Sequence, residues 1–340
     1  MSASSASPLA TDRLAGSILG QALGDALGFV VEAQPAEVAR VYVEGWLRSG
    51  RAGEWAHPDF AFGQYSDDTQ LARELLRSFE DAGQWDPRGF ATRLAELFRE
   101  QRDVGAGQGT RSAAVRLLMG VAWHEAGTPA PYAGNGAAMR AGPLGLLLPD
   151  RAAICRAARE QARVTHLDPR CAAGAITVAC SVALASRREP IDTESFLREL
   201  AGCAQPEDRS VADAIYGLRE WVALEPAAAR EYVHESGLDP AHMAHWKGIS
   251  AFVTPSVLWS LYAFLRSPDD YWETICTAIW PGGDTDTMAS IAGAISGARV
   301  GVEALPRDLI ARLTDRDGWG GDALAELARR CAQMAELGST

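Results

Sequence analysis

The chain has 340 residues, 47% apolar and 22% charged, a globular composition that excludes a disordered or fibrous polymer. Its 44 acidic against 32 basic residues leave a net charge of −12, which opposes binding of an extended nucleic acid, and no local basic stripe overrides it. Six cysteines with no C-x-x-C pair read as reduced, mostly buried thiols and not as a disulfide framework.

The opening MSASSASPLATDR is polar and lacks the apolar core of a secretory signal, so residues 1–11 read as a disordered tail on a soluble, cytoplasmic protein. From Leu14 to Gly28 the apolar residues Ile18, Leu19, Leu23, Ala26 and Leu27 keep a helical period, with glycine at 16, 20, 24 and 28. Each glycine inside a helix costs up to about 1 kcal/mol relative to alanine, so a compensating gain is expected, namely close approach of another backbone. Gly293, Gly297 and Gly301 repeat the spacing and predict a second bare-faced helix, its natural partner at the centre of a bundle.

Ser66, Asp67, Asp68 and Thr69 precede a helical pattern of Leu71, Leu75 and Phe79, and Phe90, Leu94 and Leu97 mark the next helix. Turn residues follow at Gly105–Gly109 and at Gly134, Asn135 and Gly136; the second of these leaves backbone N–H groups able to face an anion, with the first as second choice. Asp168 and Pro169 read as the N-cap and first residue of a helix, and the apolar run from Ala172 to Ala185 is broken by Thr177 and Ser181, so no membrane span is expected. His234, His242 and His245 lack zinc-protease spacing and read as an exposed loop. No four-residue run alternates as a half-buried strand, and no linker or internal repeat interrupts the chain. An all-α fold with one domain over residues 12–335 is therefore expected, although length alone would allow two domains at about 150 residues each.

Gly282, Gly283, Asp284, Thr285, Asp286 and Thr287 repeat the construction at Ser66: flexible backbone, paired acids, hydroxyls, and then a helical face of Met288, Ile291 and Ile295. Alone, each cluster is adequately explained as a helix cap placing carboxylates at the positive end of the dipole. Together they offer only hard oxygen ligands, which suit Mg²⁺, Mn²⁺ or Ca²⁺ and not zinc. If the clusters converge, carboxylates about 4 Å apart repel by roughly 4 kcal/mol per pair at an effective dielectric near 20. Two divalent cations would offset that charge and could lower the pKa of a shared water. Glu32, one turn beyond the glycine-faced helix, is either a surface acid or a further carboxylate acting as base.

In order, GSILGQALGDALGFVVE from Gly16, GQYSDDTQ, GNGAAMRAGPLGL, THLDP and GGDTDTMASIAGAISGA resemble the ADP-ribosylglycohydrolase family, also called DraG-like or ARH. The resemblance implies an all-α orthogonal bundle around a dinuclear Mg²⁺ or Mn²⁺ site that cleaves the bond between C1″ of ADP-ribose and an acceptor. It implies that Ser66, Asp67, Asp68, Asp284, Asp286 and Thr287 sit at the metals, with Asp67 and Asp286 central to catalysis. Glu32 then occupies the position of the family's mobile active-site glutamate. Gly134, Asn135 and Gly136 become a diphosphate loop and His166 a contact to bound ADP-ribose. Tyr132, beside that loop, is a residue to stack on adenine. Arg111 and Arg140 are two among 31 arginines and are not assigned a role.

The expected substrate is an ADP-ribosylated protein side chain, with ADP-ribose as product. A nucleic-acid base or small ribosylated metabolite as acceptor, a non-catalytic ADP-ribose-binding relative, and a metal-dependent phosphohydrolase remain as alternatives. Acceptor choice is expected in variable loops, above all residues 205–248 with Trp221, Tyr232 and Trp246.

Overall fold

A computed structural model describes residues 8–187, 189–234, 236, 246–316 and 318–337, and these form α-helices with only isolated β-bridges between loops. The helices are α1 (Pro8–Phe29), α2 (Ala36–Tyr42), α3 (Asp67–Ala82), α4 (Pro87–Arg99), α5 (Gln108–Leu118), α6 (Leu144–Leu147), α7 (Arg151–Arg163) and α8 (Pro169–Ala185). They continue with α9 (Thr193–Ala204), α10 (Arg209–Gly217), α11 (Pro226–His234), α12 (Val253–Arg266), α13 (Tyr271–Ile279), α14 (Thr285–Val300), α15 (Arg307–Ile310) and α16 (Gly321–Leu337). The all-α expectation is met. Helix α1 starts at Pro8, inside the stretch expected as a tail, and residues 1–7 lie outside the described part, as do His242 and His245.

The glycine periodicity does what it predicts. Helices α1 and α14 run antiparallel in the most extensive contact of the fold. A Cβ at Gly20 would stand 2.4 Å from the Gly293 oxygen, one at Gly24 2.2 Å from the Ala289 oxygen, and one at Gly28 2.3 Å from the Thr285 oxygen. No side chain fits between these backbones, so the entropic cost of helical glycine is offset by close packing along the whole pair. Gly301 departs from the expectation: it is not in the helix but ends it, at φ 82°, where its amide closes onto the Gly297 carbonyl. Helix α14 is buried from Thr285 to Arg299, and the apolar side chains around it join one continuous core from Leu14 to Ala332. No described helix is long and apolar enough to cross a membrane.

This seam has a consequence for function. Because the pair is antiparallel, the C-terminal end of α1 lies against the N-terminal end of α14, where Thr285 Oγ1 donates to the Gly28 carbonyl at 2.8 Å. The start of α3 is attached to the same place, since the Asp25 carboxylate accepts from the Ser66 amide at 2.8 Å, the Thr69 amide at 3.0 Å and the Thr69 hydroxyl at 2.6 Å. Gln21, one turn earlier, donates to the carbonyls of Asp68 and Met139, both at 3.1 Å. One face of α1 thus gathers two helix N-termini and the segment after Gly134.

Candidate active site

Both acidic clusters stand at helix N-termini as their composition predicts, but only the first makes a side-chain cap. Ser66 is the N-cap of α3 and accepts from the Asp68 amide at 3.3 Å, while Asp284 precedes α14 without a side-chain cap bond. Gly282 and Gly283, at φ 70° and 89°, pass between two other backbones: a Cβ on Gly283 would lie 2.1 Å from the Ile249 oxygen. The Gly283 amide donates to Gln34, the Ala33 amide donates back to Gly283, and the Asp284 amide donates to Ile249. Glu32 is thereby held beside the start of α14, next to Ala33 at φ 59°.

The clusters converge. Carboxylate oxygens of Glu32, Asp284 and Asp286 lie within 4.8 Å of one another, and so do those of Asp25, Asp68 and Asp286. Thr287 donates to Asp68 at 3.3 Å across the two helices. Burial is nearly complete for Asp25, Asp67, Asp68, Asp284 and Asp286, and Glu32 is the more open member. Burial and then the charge of Asp286 push Asp25 up to about 7; Asp286 and then burial push Glu32 up to about 10. Asp67, Asp68 and Asp284 are raised well above the carboxylate range, first by burial and next by Asp286.

Asp67 Oδ2, Asp68 Oδ2 and Asp286 Oδ1 are buried and have no hydrogen-bond partner. Buried carboxylate oxygens left unmatched are costly unless a cation completes them. A set of oxygen donors only, with three such orphans, fits hard divalent ions.

These acids form part of the lining of a cavity of about 230 Å³ that also touches Gly105, Gly107, Gly109, Tyr132, Gly134, Gly136, His166 and Trp246. His166 is buried and fixed from both sides of its backbone by Thr128, whose amide donates to Thr165 and whose carbonyl accepts from Leu167, both at 2.8 Å. Arg140 donates from Nη2 to Thr165 Oγ1 at 2.7 Å, and Thr165 Oγ1 lies 2.8 Å from His166 Nδ1. An arginine can only donate, so the arrangement that uses every proton has the threonine hydroxyl donating to Nδ1 and leaves Nε2–H for the cavity. Burial and the Arg140 charge lower His166 to about 3, which keeps the ring neutral. Tyr132 stacks on it at 5.9 Å between centroids and accepts from the Gly109 amide at 3.1 Å. A Cβ at Gly109 would lie 2.5 Å from the Tyr132 ring and one at Gly136 3.0 Å from the His166 ring, so glycine is needed where these rings lie.

All twelve residues singled out from the sequence lie at or beside this cavity, but Asn135 differs from its expected part. Its amide donates to Ala251 at 3.0 Å and its side chain to Ser256 Oγ at 2.9 Å and to Asp284 Oδ2. It orients an acid and its own amide is not free for an anion. The glycine turn at 105–109, ranked second, lines the same cavity, whereas Arg111 turns away to Asp103 at 2.7 Å. Of the expected rim aromatics only Trp246 reaches the cavity; Trp221 stacks on Tyr232 and Tyr262 instead. Asp25 was not singled out. Its one signal is an acid among small and apolar residues in G-D-A-L-G.

The sequence matches the ADP-ribosylglycohydrolase family over residues 6–339. It is 32% identical over 270 residues to human ADP-ribosylhydrolase ARH3, covering 71% of this chain and 72% of that one. It is 28% identical over 312 residues to the ADP-ribosyl-[dinitrogen reductase] glycohydrolase of Rhodospirillum rubrum, covering 90% and 92%. A solved structure described as an ADP-ribosylglycohydrolase-related protein complex superposes with a TM-score of 0.68 at 27% identity, covering 96% of this chain and 99% of the other. With a family match spanning nearly its whole length and an acid-walled cavity at its centre, this chain belongs to the ADP-ribosylglycohydrolases.

Proposed function

We propose that the protein, with residues 12–335 acting as one domain, hydrolyses the glycosidic bond at C1″ of ADP-ribose attached to a protein side chain and releases ADP-ribose. The observation that carries this reading is a single cavity lined both by carboxylates with orphaned oxygens and by a neutral histidine stacked on a tyrosine. Asp67, Asp68, Asp284 and Asp286, with Ser66 and Thr287, would hold two Mg²⁺ or Mn²⁺ ions. When bound, such ions supply positive charge against the acidic wall and Lewis acidity toward ribose hydroxyls and water.

The chain's own groups do the rest. Tyr132 offers a ring face for adenine, the backbone at Gly134 and Gly136 faces the diphosphate, and His166 donates Nε2–H to the ligand. Asn135 and Asp25 are positioning residues: the first orients Asp284, and the second anchors the start of α3. Cleavage at C1″ develops oxocarbenium character, which the surrounding carboxylates Asp67 and Asp286 stabilise. Glu32, the most open acid, takes a proton from the attacking water or returns one to the leaving acceptor. Its proton affinity is raised by Asp286 and burial, which suits a group that holds and passes on a proton.

The test is incubation with Mg²⁺ or Mn²⁺ and a panel of ADP-ribosylated proteins, nucleic acids and small molecules, with products read by mass spectrometry. Intact ADP-ribose from protein acceptors is expected. Release only from a nucleic-acid base or metabolite would move the acceptor assignment, AMP or inorganic phosphate would replace the glycosidic reading, and ADP-ribose binding without any turnover would leave a non-catalytic protein.

A further inference from the structure

The tertiary fold joins three cysteines that the primary sequence keeps apart. Cys155 on α7, Cys180 on α8 and Cys203 on α9 have sulfur atoms all within 4.8 Å of one another, with Cys155 and Cys180 3.9 Å apart and unbonded. A tetrahedral metal with bonds of about 2.3 Å to sulfur holds its thiolates about 3.8 Å apart, and a trigonal one about 4.0 Å. The Cys155–Cys180 separation already falls there.

Surroundings favour one thiolate and leave the cluster accessible. Cys155 is half-buried, and Cys180 and Cys203 line a cavity of about 410 Å³ whose wall includes Arg151, Arg187, Asp150 and Glu199. S–H groups of Cys180 and Cys203, and after them the charges of Arg159 and Arg151, hold the Cys155 thiol well below its ordinary range. The hydrogen bond to Cys155 and burial push the Cys180 and Cys203 thiols up, so a metal must displace those two protons. The donors here are sulfur only, whereas the groups at the acidic cavity are oxygen only, so the two places select different ions.

We propose that Cys155, Cys180 and Cys203 form a second metal site, binding one thiophilic closed-shell cation, Zn²⁺ or Cu⁺, through three thiolates. Binding releases the thiol protons to solvent and changes no oxidation state. For Zn²⁺ the fourth position opens to the 410 Å³ cavity, where solvent or Glu199 can complete it. For Cu⁺ three sulfurs suffice. Either ion clamps α7, α8 and α9 together.

The experiment uses the full chain, stripped with chelator and kept reduced without air. Co²⁺ as a zinc surrogate is expected to produce a sulfur-to-cobalt charge-transfer band that saturates at one equivalent and is removed by Zn²⁺; cobalt at the acidic cavity has no sulfur and gives no such band. Cu⁺ is titrated in parallel against a chromophoric competitor, and the ion that displaces the other at equilibrium is the assigned one. Cys155→Ser and Cys203→Ser should each weaken binding at least about tenfold while retaining ADP-ribose release. Cys155→Ala, at the half-buried position, keeps the test valid if a buried variant misfolds, with helicity by circular dichroism as the check. Absence of the band together with no stoichiometric Cu⁺ binding, or a band unchanged in Cys155→Ala, would overturn the proposal.

Discussion

On one wall of the cavity Asp67, Asp68 and Asp286 each keep a buried oxygen without a partner, whereas on another the Nδ1 of His166 is held by Thr165 and the hydroxyl of Tyr132 by the Gly109 amide. Burial acts on both walls and moves both sets of groups toward their neutral forms: the acids up, the histidine down. The difference lies in what completes them. The histidine wall is finished by the chain itself and is ready for a neutral or anionic ligand, while the acidic wall keeps orphaned oxygens that positive charge from outside would complete. Changing an acid should therefore remove chemistry, and changing the histidine should remove affinity. Asp286→Ala takes away the charge that acts on every other acid of the cluster, and release of ADP-ribose is expected to fall by roughly 10³-fold at saturating substrate. Turnover within tenfold of the parent protein would mean that the two walls do not differ in this way.

The acidic wall exists because α1 carries it, so the comparison can also be broken from behind. Gly24→Ala would put a Cβ 2.2 Å from the Ala289 oxygen, against backbone that cannot swing aside, and should cost about 3 kcal/mol in denaturant unfolding. Gly45→Ala, with open space around the added carbon, is the control and should be close to neutral. A loss at Gly24 no larger than at Gly45 would show that the helices can separate without penalty.

That seam and the two acidic helix starts are legible in the sequence because their signals are local: a period of four, and paired acids with hydroxyls just ahead of a helical apolar pattern. What was not legible depends on partners far along the chain. Asp25 finds its donors 41 and 44 residues away, and nothing within its own helix marks it except its charge. Asn135 looks like part of an anion-binding turn until its amide group is seen to meet Asp284, 149 residues on. The spacing of the cysteines indicates free thiols, but the meeting of Cys155, Cys180 and Cys203 requires three helices to be placed, and no spacing rule contains that information. Gly301 shows the limit of periodicity itself: it keeps the four-residue spacing yet ends the helix at positive φ.

On the histidine wall the expected effect is smaller. One hydrogen bond from Nε2 contributes about 1 kcal/mol net, so His166→Ala should raise KM by about fivefold to tenfold and leave kcat within a factor of a few. Because burial keeps the ring neutral down to about pH 3, the parent KM should show no titration of this residue between pH 5 and 8. A kcat loss as large as that of Asp286→Ala would place His166 in the chemistry and erase the division between walls.

The smallest effect is also the most direct reading of the acidic wall, because it needs no substrate. Asp25 rises in the folded chain from 3.8 to about 7, and Glu32 from 4.5 to about 10. Both fold-state values lie above those of the unfolded chain, so the folded protein binds more protons. Their stabilising contribution is full below about pH 4 and is lost as pH rises through 7 and beyond. Under the proposed function, divalent cations would take the place of those protons. The rise in Tm on adding Mn²⁺ to chelator-stripped protein should therefore be small at pH 5 and larger by a few degrees at pH 8. Asp286→Asn removes the charge that acts most strongly on Glu32 and, after burial, on Asp25, so its metal-free Tm should fall less steeply between pH 5 and 8 than that of the parent. Parallel curves for the two proteins would mean that the acids are not coupled through Asp286, and the wall would then have no more need of outside charge than the one opposite.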